Sequence, residues 1–240
     1  RRRALRVLKA ARAAGVKRVV LTSSVAAIAY GWGDARPAVM TEEHRANPDN
    51  IKDNTAYARS KTIAELAAWE YVRGEGQGLE LAVINPAGVL GPVMSGDLSS
   101  SLELLTQPMS GKIPAVPRIG FSIVDVRDVA SAHVSAMTLP EAAGERFLVG
   151  QPFMWFSELT AILQEAFPDY KKKIPSATMP NFMLKLVAIF NPSLKLILPE
   201  LGRERQISNA KAKRVLGWQP RSAKEAIIAG GQSLIDNGIV

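Results

Sequence analysis

The chain has 240 residues, 47% hydrophobic and 22% charged, enough to bury a core in one large or two small domains. It contains no cysteine, which excludes disulfides, thiolate metal sites and cysteine nucleophiles and fits a reducing cytoplasm. Two histidines, His44 and His133, argue against a histidine metal site, and the net charge of +8 favours solubility and anionic ligands.

In chain order, Ala4 to Ala14 reads as a helix stopped by Gly15, and Arg18 to Leu21 as a strand. Residues 25–54 read as a loop with turn signals at Gly31-Trp32-Gly33-Asp34, Pro37 and Asn47-Pro48-Asp49. Asn54 or Thr55 caps a helix from Ala56 to Val72, with Ile63, Leu66, Ala67 and Tyr71 as its buried stripe. Leu79 to Ile84 is an apolar run suited to a strand buried on both faces, ended by Asn85-Pro86. A short helix is expected over Leu98 to Gln107 and a strand over Phe121 to Val126. A helix over Val129 to Met137 and a strand over Arg146 to Val149 follow. Four helices complete the pattern, at 157–167, 181–190, 208–216 and 222–235. The longest apolar stretch, Phe182 to Phe190, carries Lys185 and is too short to span a bilayer, and no signal peptide is visible. The basic runs Arg1-Arg2-Arg3 and Lys171-Lys172-Lys173 lack interleaved aromatics and a nucleic-acid motif, so neither nucleic acid nor membrane is an expected partner.

Strands alternating with helices predict an α/β fold with a parallel sheet. Within it, Tyr57 and Lys61 stand one turn apart on one helix face. A phenol is a poor proton donor at neutral pH, and a nearby ammonium stabilises its phenolate. A serine at the end of the preceding strand, in Thr22-Ser23-Ser24, can hold a substrate oxygen, so the set suits proton transfer to a carbonyl. Four tyrosines and 13 lysines form ~0.2 such pairs by chance, so the weight comes from the surrounding order of elements.

Four runs, in this order, resemble the extended short-chain dehydrogenase/reductases of the NAD-dependent epimerase/dehydratase superfamily. They are Arg18-Val-Val-Leu-Thr-Ser-Ser-Val-Ala-Ala-Ile28, Tyr57-x-x-x-Lys61, Val83-Ile-Asn-Pro-Ala-Gly-Val-Leu-Gly-Pro92 and Val124-Asp-Val-Arg-Asp-Val-Ala130. The run Ser208 to Pro220 also resembles the tail of that family, and the dihydroflavonol-reductase/aldehyde-reductase branch is the most similar. The resemblance implies a Rossmann-like doubly wound parallel sheet with a smaller, mainly helical substrate lobe. Residues 1–150 would be the later part of the NAD(P)-binding domain, with 86–119 contributing to the substrate side, and 151–240 the lobe. It implies NADP or NAD as cofactor, NADP before NAD, and a small-molecule carbonyl substrate. Tyr57 would be the general acid, and Lys61 would lower its pKa and bind the nicotinamide ribose. Ser24, with Ser23 as rival, would hold the carbonyl oxygen. Pro86, Ala87, Gly88 and Val89 would pass beside the nicotinamide, and Ser101 would contact cofactor phosphate. The family often pairs through a helix pair that includes the Tyr/Lys helix, which implies a homodimer.

The departure from the family is a missing strand–glycine-rich turn–helix, the element that binds pyrophosphate. Gly74-x-Gly76-x-Gly78 follows a helix and reads as a helix stop. About three βα units of the family pattern therefore lie outside this sequence, which predicts weak cofactor binding by the chain alone and an exposed sheet edge. Two alternatives stand beside the reductase: a nucleotide-sugar epimerase of the same superfamily, and a non-catalytic NAD(P)-binding regulator. Related dehydratases carry an acidic pair where Val25 and Ala26 stand here, which argues against dehydration. Trp32, Met94 and Trp155 are candidate pocket residues.

Overall fold

The computed structural model describes residues 1–93, 99–190, 194 and 197–240. They form two compact units, each assembled from three stretches of chain: 1–87, 128–150 and 207–219 in the first, 88–127, 151–206 and 220–240 in the second. A division at residue 150 follows chain order. The compact units do not, because 88–127 pack with the later helices and 207–219 return to the first sheet.

The first unit is built on three parallel strands in the order Arg18–Thr22, Glu80–Pro86, Arg146–Val149. Thr22 pairs with Ile84, and Pro86 with Val149. The central strand is apolar on both sides, and Leu81, Ala82, Val83 and Ile84 are almost fully buried; each larger side chain contributes ~1.5–3 kcal/mol. Asn85-Pro86 was expected to end this strand, but both residues belong to it. Proline is tolerated because it occupies the last ladder position, where its missing N–H breaks no interior pairing. The Arg18–Thr22 strand is half-exposed along most of its length, and among the described residues only the central strand pairs with it.

The helix Ala56–Arg73 begins where the Thr55 hydroxyl accepts the Ala58 N–H at 3.1 Å and ends at Gly74. Its expected stripe is corrected by the fold. Ala67 and Tyr71 are buried, but Leu66 is only half-buried and Ile63 is exposed, whereas Ala58, Thr62, Glu65, Ala68 and Trp69 face inward. Hydropathy fails here because two inward residues are polar and find partners. Thr62 Oγ1 donates to the Ala58 carbonyl, and Glu65 is held by residues distant in sequence. The helix Arg2–Ala13 contributes Leu8 to the same core as Trp69, Tyr71, Leu79, Leu81 and Val83. The helices Val126–Thr138 and Ala210–Leu216 complete this part of the chain.

The 25–54 segment is more ordered than a loop, with a short helix over Ala26–Ala29 and single 3-10 turns at Gly33–Ala35 and Ile51–Asp53. Asp53 organises it: its carboxylate accepts the Trp32 and Gly33 N–H groups and pairs with Arg36 at 2.9 Å. Gly31 has φ +81°, and a Cβ there would lie 2.1 Å from the Asn47 carbonyl oxygen.

In the second unit, Gly88–Leu90 pairs in parallel with Ile123–Asp125, so the single strand expected over Phe121 to Val126 is two short ones separated at Ser122. The helices Glu103–Met109, Phe156–Ala166 and Ala223–Asp236 pack around Leu105, Met109, Leu159, Leu163, Ile227 and Leu234. A 3-10 turn over Ser100–Leu102 precedes Glu103–Met109. The expected helix start at Leu98 and the pocket candidate Met94 lie outside the described residues. No helix among the described residues is long and apolar enough to cross a membrane.

Candidate active site

The Arg18–Thr22 strand delivers Ser23 and Ser24 at its carboxyl end, and the central strand fixes them there. Ser23 N–H donates to the Ile84 carbonyl and Val25 N–H to the Pro86 carbonyl. Ser24 Oγ accepts the Ala26 N–H at 3.1 Å, and its O–H donates to no acceptor among the described residues. The Ala56–Arg73 helix brings Lys61 to this point. Its ammonium makes two long bonds, 3.4 Å to the Thr22 carbonyl and 3.3 Å to the Ser23 carbonyl, and lies 5.9 Å from the centre of the Tyr57 ring. Tyr57 is 58% exposed. Among the described residues its hydroxyl has no hydrogen-bond partner. The expected Tyr57, Lys61 and Ser23-Ser24 groups therefore gather at one strand end.

Pro86 and Ala87 continue from the central strand at the same end, with the Ala87 N–H bonded to the Val149 carbonyl. Gly88 and Val89 belong to the Gly88–Leu90 strand of the second unit, and Ser101 lies half-buried in the Ser100–Leu102 turn of that unit. Trp32 is a packing residue rather than an open pocket wall. Its Nε1 donates to the Ile28 carbonyl at 2.7 Å and its ring meets His44 edge-on. Trp155 carries the Arg118 guanidinium 5.3 Å from its ring centre and meets the Phe153 ring edge-on.

Beneath the serines lies a polar network that the sequence pattern did not single out. Glu65 is 2% exposed, and four donors converge on its carboxylate. They are Ser23 Oγ, Asn85 Nδ2 at 2.8 Å, Arg146 Nη1 at 2.7 Å and, more distantly, Trp69 Nε1 at 3.4 Å. Arg146 also donates from Nε to the Glu42 carbonyl and from Nη2 to the His44 carbonyl. The signal available was the spacing Tyr57-x-x-x-Lys61-x-x-x-Glu65, which puts the three on one helix face.

A cavity of about 820 Å³ in the first unit lies at the opposite end of the strands, against Leu79, Glu80 and Arg146. The central strand runs ~20 Å from Glu80 to Pro86, and the cavity borders the outer side of the Glu65 network through Arg146, Trp69 and Glu42. No cluster of histidine, aspartate and glutamate able to hold a metal occurs among the described residues.

In the second unit, the Asp125 carboxylate accepts the Arg127 N–H and two guanidinium bonds at 2.8 and 2.6 Å. Burial raises its pKa, but the Arg127 hydrogen bonds outweigh burial and hold it below the usual carboxylate value.

Residues 2–150 match the model of the NAD dependent epimerase/dehydratase family. The chain is 36% identical over 234 residues to cinnamoyl-CoA reductase 1 of Arabidopsis thaliana, covering 97% of this chain and 67% of that protein. A cinnamoyl-CoA reductase of Medicago truncatula is 36% identical over 66% of this chain and 48% of its own length. The NADPH-dependent methylglyoxal reductase GRE2 of Saccharomyces cerevisiae is 31% identical over 93% of this chain and 65% of its own. The crystal structure of yeast Gre2 complexed with NADPH superimposes with a TM-score of 0.77 at 28% identity, over 98% of this chain and 69% of that one. The chain thus spans about half to two thirds of the length of these curated relatives. Order of motifs, parallel Rossmann-like sheet and sequence identity agree: the chain belongs to the NAD-dependent epimerase/dehydratase family and fits its dihydroflavonol-reductase/aldehyde-reductase-like branch.

Proposed function

We propose that the protein reduces an aldehyde or ketone to an alcohol, with NADP(H) before NAD(H) as cofactor. The observation that carries this reading is the Lys61 ammonium, set between the Ser23 backbone and the exposed Tyr57 phenol. Tyr57 gives its proton to the carbonyl oxygen. Lys61 stabilises the phenolate left behind, and Ser24 donates its free O–H to the same oxygen. A nicotinamide cofactor, once held by Lys61 at its ribose, would supply the hydride that the carbonyl carbon needs.

The residues present fit the nicotinamide-ribose end of that cofactor. Lys61 has only long bonds and therefore retains donor capacity for ribose hydroxyls. Pro86 and Ala87, at the same strand end as Lys61, would flank the ring. For the pyrophosphate end the described residues offer no cradle. Gly74 closes a helix, and a Cβ on Gly76 would lie 2.5 Å from the Tyr71 ring. We therefore expect weaker NADPH binding by this chain than by relatives that carry a glycine-rich turn. The reductase names of its relatives favour NADPH and a small carbonyl substrate. The absence of cysteine supports a reducing cytoplasm, and the family resemblance alone supports a homodimer through the Tyr57/Lys61 helix.

The test is NADPH oxidation by the purified chain, at millimolar NADPH, across a panel of aromatic and 2-oxo aldehydes, with a UDP-sugar epimerisation assay in parallel. Turnover of at least one aldehyde is expected. Product from the UDP-sugar alone supports the epimerase instead, and saturable NADPH binding with no reaction in either assay supports a non-catalytic NAD(P)-binding role.

A further inference from the structure

We infer that Glu65 is a positioning residue of the proposed site, whose buried carboxylate draws the Ser23 hydroxyl inward and leaves Ser24 as the serine that meets the substrate oxygen. The inference deepens the reductase reading and rests on it. Two serines sit side by side at the strand end, and the sequence leaves the choice between them open. In the fold, the Ser23 hydroxyl donates to Glu65 Oε2, so its proton is committed to the interior. The Ser24 hydroxyl accepts from Ala26 N–H and keeps its proton for a ligand.

Glu65 also governs where Ser24 stands. The Asn85 side-chain amide uses both hydrogens as a bridge, one to Glu65 Oε2 at 2.8 Å and one to the Ser24 carbonyl at 3.0 Å. Lys61, one turn earlier on the same helix, holds the Ser23 carbonyl. The serine segment is thus gripped at the Ser23 hydroxyl, the Ser23 carbonyl and the Ser24 carbonyl. Two of these three grips pass through Glu65.

The chemistry requires a carboxylate. Ser23, Asn85, Arg146 and Trp69 all donate to this one group, and an ionised carboxylate is acceptor-only. A glutamine of the same shape turns an N–H toward donors, and the unmatched polar contacts lie where water cannot repair them. Arg146, 5% exposed, supplies the balancing charge, so this buried pair orients a neighbouring segment rather than simply adding stability.

The experiment compares wild type, Ser24→Ala, Ser23→Ala, Glu65→Gln and the Ser23→Ala/Glu65→Gln double variant in two readouts. The first is kcat and KM for the aldehyde turned over. Ser24→Ala is expected to lower kcat about 100-fold and Glu65→Gln about 10-fold, with the KM for NADPH changed less than about 2-fold. Ser23→Ala is expected to cost less than Ser24→Ala, and its effect is expected to disappear in the Glu65→Gln background, because the two act through one contact. Equal loss in Ser23→Ala and Ser24→Ala, or additive losses in the double variant, overturns the inference. The second readout is amide hydrogen exchange at Ala26, whose N–H is held by Ser24 Oγ, measured on the folded chain without substrate or cofactor. Exchange is expected to accelerate at least about 10-fold in Glu65→Gln and less in Ser23→Ala, while Val83 in the central strand is unaffected. Unchanged Ala26 exchange in both variants overturns the positioning role even where no aldehyde is reduced. Accelerated exchange in a chain that reduces nothing overturns only the reductase reading. Should Glu65→Gln fail to fold, Ser23→Ala alone decides through the Ala26 readout.

Discussion

Two pairs of residues differ sharply, one lying wholly on the Ala56–Arg73 helix and the other joining that helix to the Arg146–Val149 strand. Tyr57 and Lys61 lie toward solvent, with a phenol that has no hydrogen-bond partner among the described residues and an ammonium on long bonds. Glu65 and Arg146, beginning one turn further on, are buried and share a short ion pair within a network of close contacts. The first pair has the unsatisfied donors that chemistry uses. The second has almost none, and its hydrogen bonds run to the backbone and side chains that place the first. A site of this kind separates reaction from support, so damage to the two pairs should be read by different instruments.

The largest expected effect sharpens that difference on the reactive side. Lys61→Ala should lower kcat/KM by about 10²–10⁴-fold, since it removes phenolate stabilisation and ribose donors together. Its thermal unfolding should shift little, because the side chain is only half-buried and its bonds are long. Steady-state kinetics beside a melting curve would check this, and a large drop in melting temperature would erase the separation. On the supporting side, Glu65→Ala leaves the Arg146 charge buried without its partner, and about 3–5 kcal/mol of stability should be lost in urea unfolding. A loss under about 1 kcal/mol would mean that the network is not a support.

A third expectation concerns the loop beside the serines. Gly31→Ala adds a Cβ that would meet the Asn47 carbonyl at 2.1 Å, at a φ of +81°. A cost of about 1–3 kcal/mol or more is expected in the same urea assay. A fourth contrasts Glu65 with the second unit's buried carboxylate. The pKa of Asp125 is depressed in the fold, so its contribution is present above the ordinary carboxylate value near ~3.9 and is lost as pH falls through the folded value. Asp125→Asn should therefore flatten the acid limb of a stability-versus-pH curve while leaving the slope near neutrality unchanged. The smallest effect is expected at the surface pair Lys9–Glu75, 3.2 Å apart and exposed on both sides. Lys9→Ala should change stability by less than about 1 kcal/mol.

Strands and helices of strong pattern were legible in the sequence. The Arg18–Thr22 strand, the Thr55-capped helix and the Arg146–Val149 strand lie within a residue of expectation. Tyr57, Lys61 and the serine pair were legible because motif order carries them. What remained hidden depends on partners distant in the chain. Nothing in the linear pattern singles out Glu65, whose partner Arg146 lies 81 residues away. Ile63 reads as core until the helix is rotated by that polar anchor. Residues 86–119 are expected on the substrate side, and 88–127 do pack with the later helices, but the return of 207–219 to the first unit is not visible in a linear pattern.

The central claim is that Tyr57 is the proton donor. It is tested most directly by Tyr57→Phe, assayed for NADPH-dependent aldehyde reduction beside wild type under one set of conditions. The exposed ring keeps its packing and loses only its hydroxyl, so the predicted result is a fall in kcat of about 10²–10⁴-fold with an unchanged melting temperature. Wild-type turnover in the Tyr57→Phe variant would contradict it.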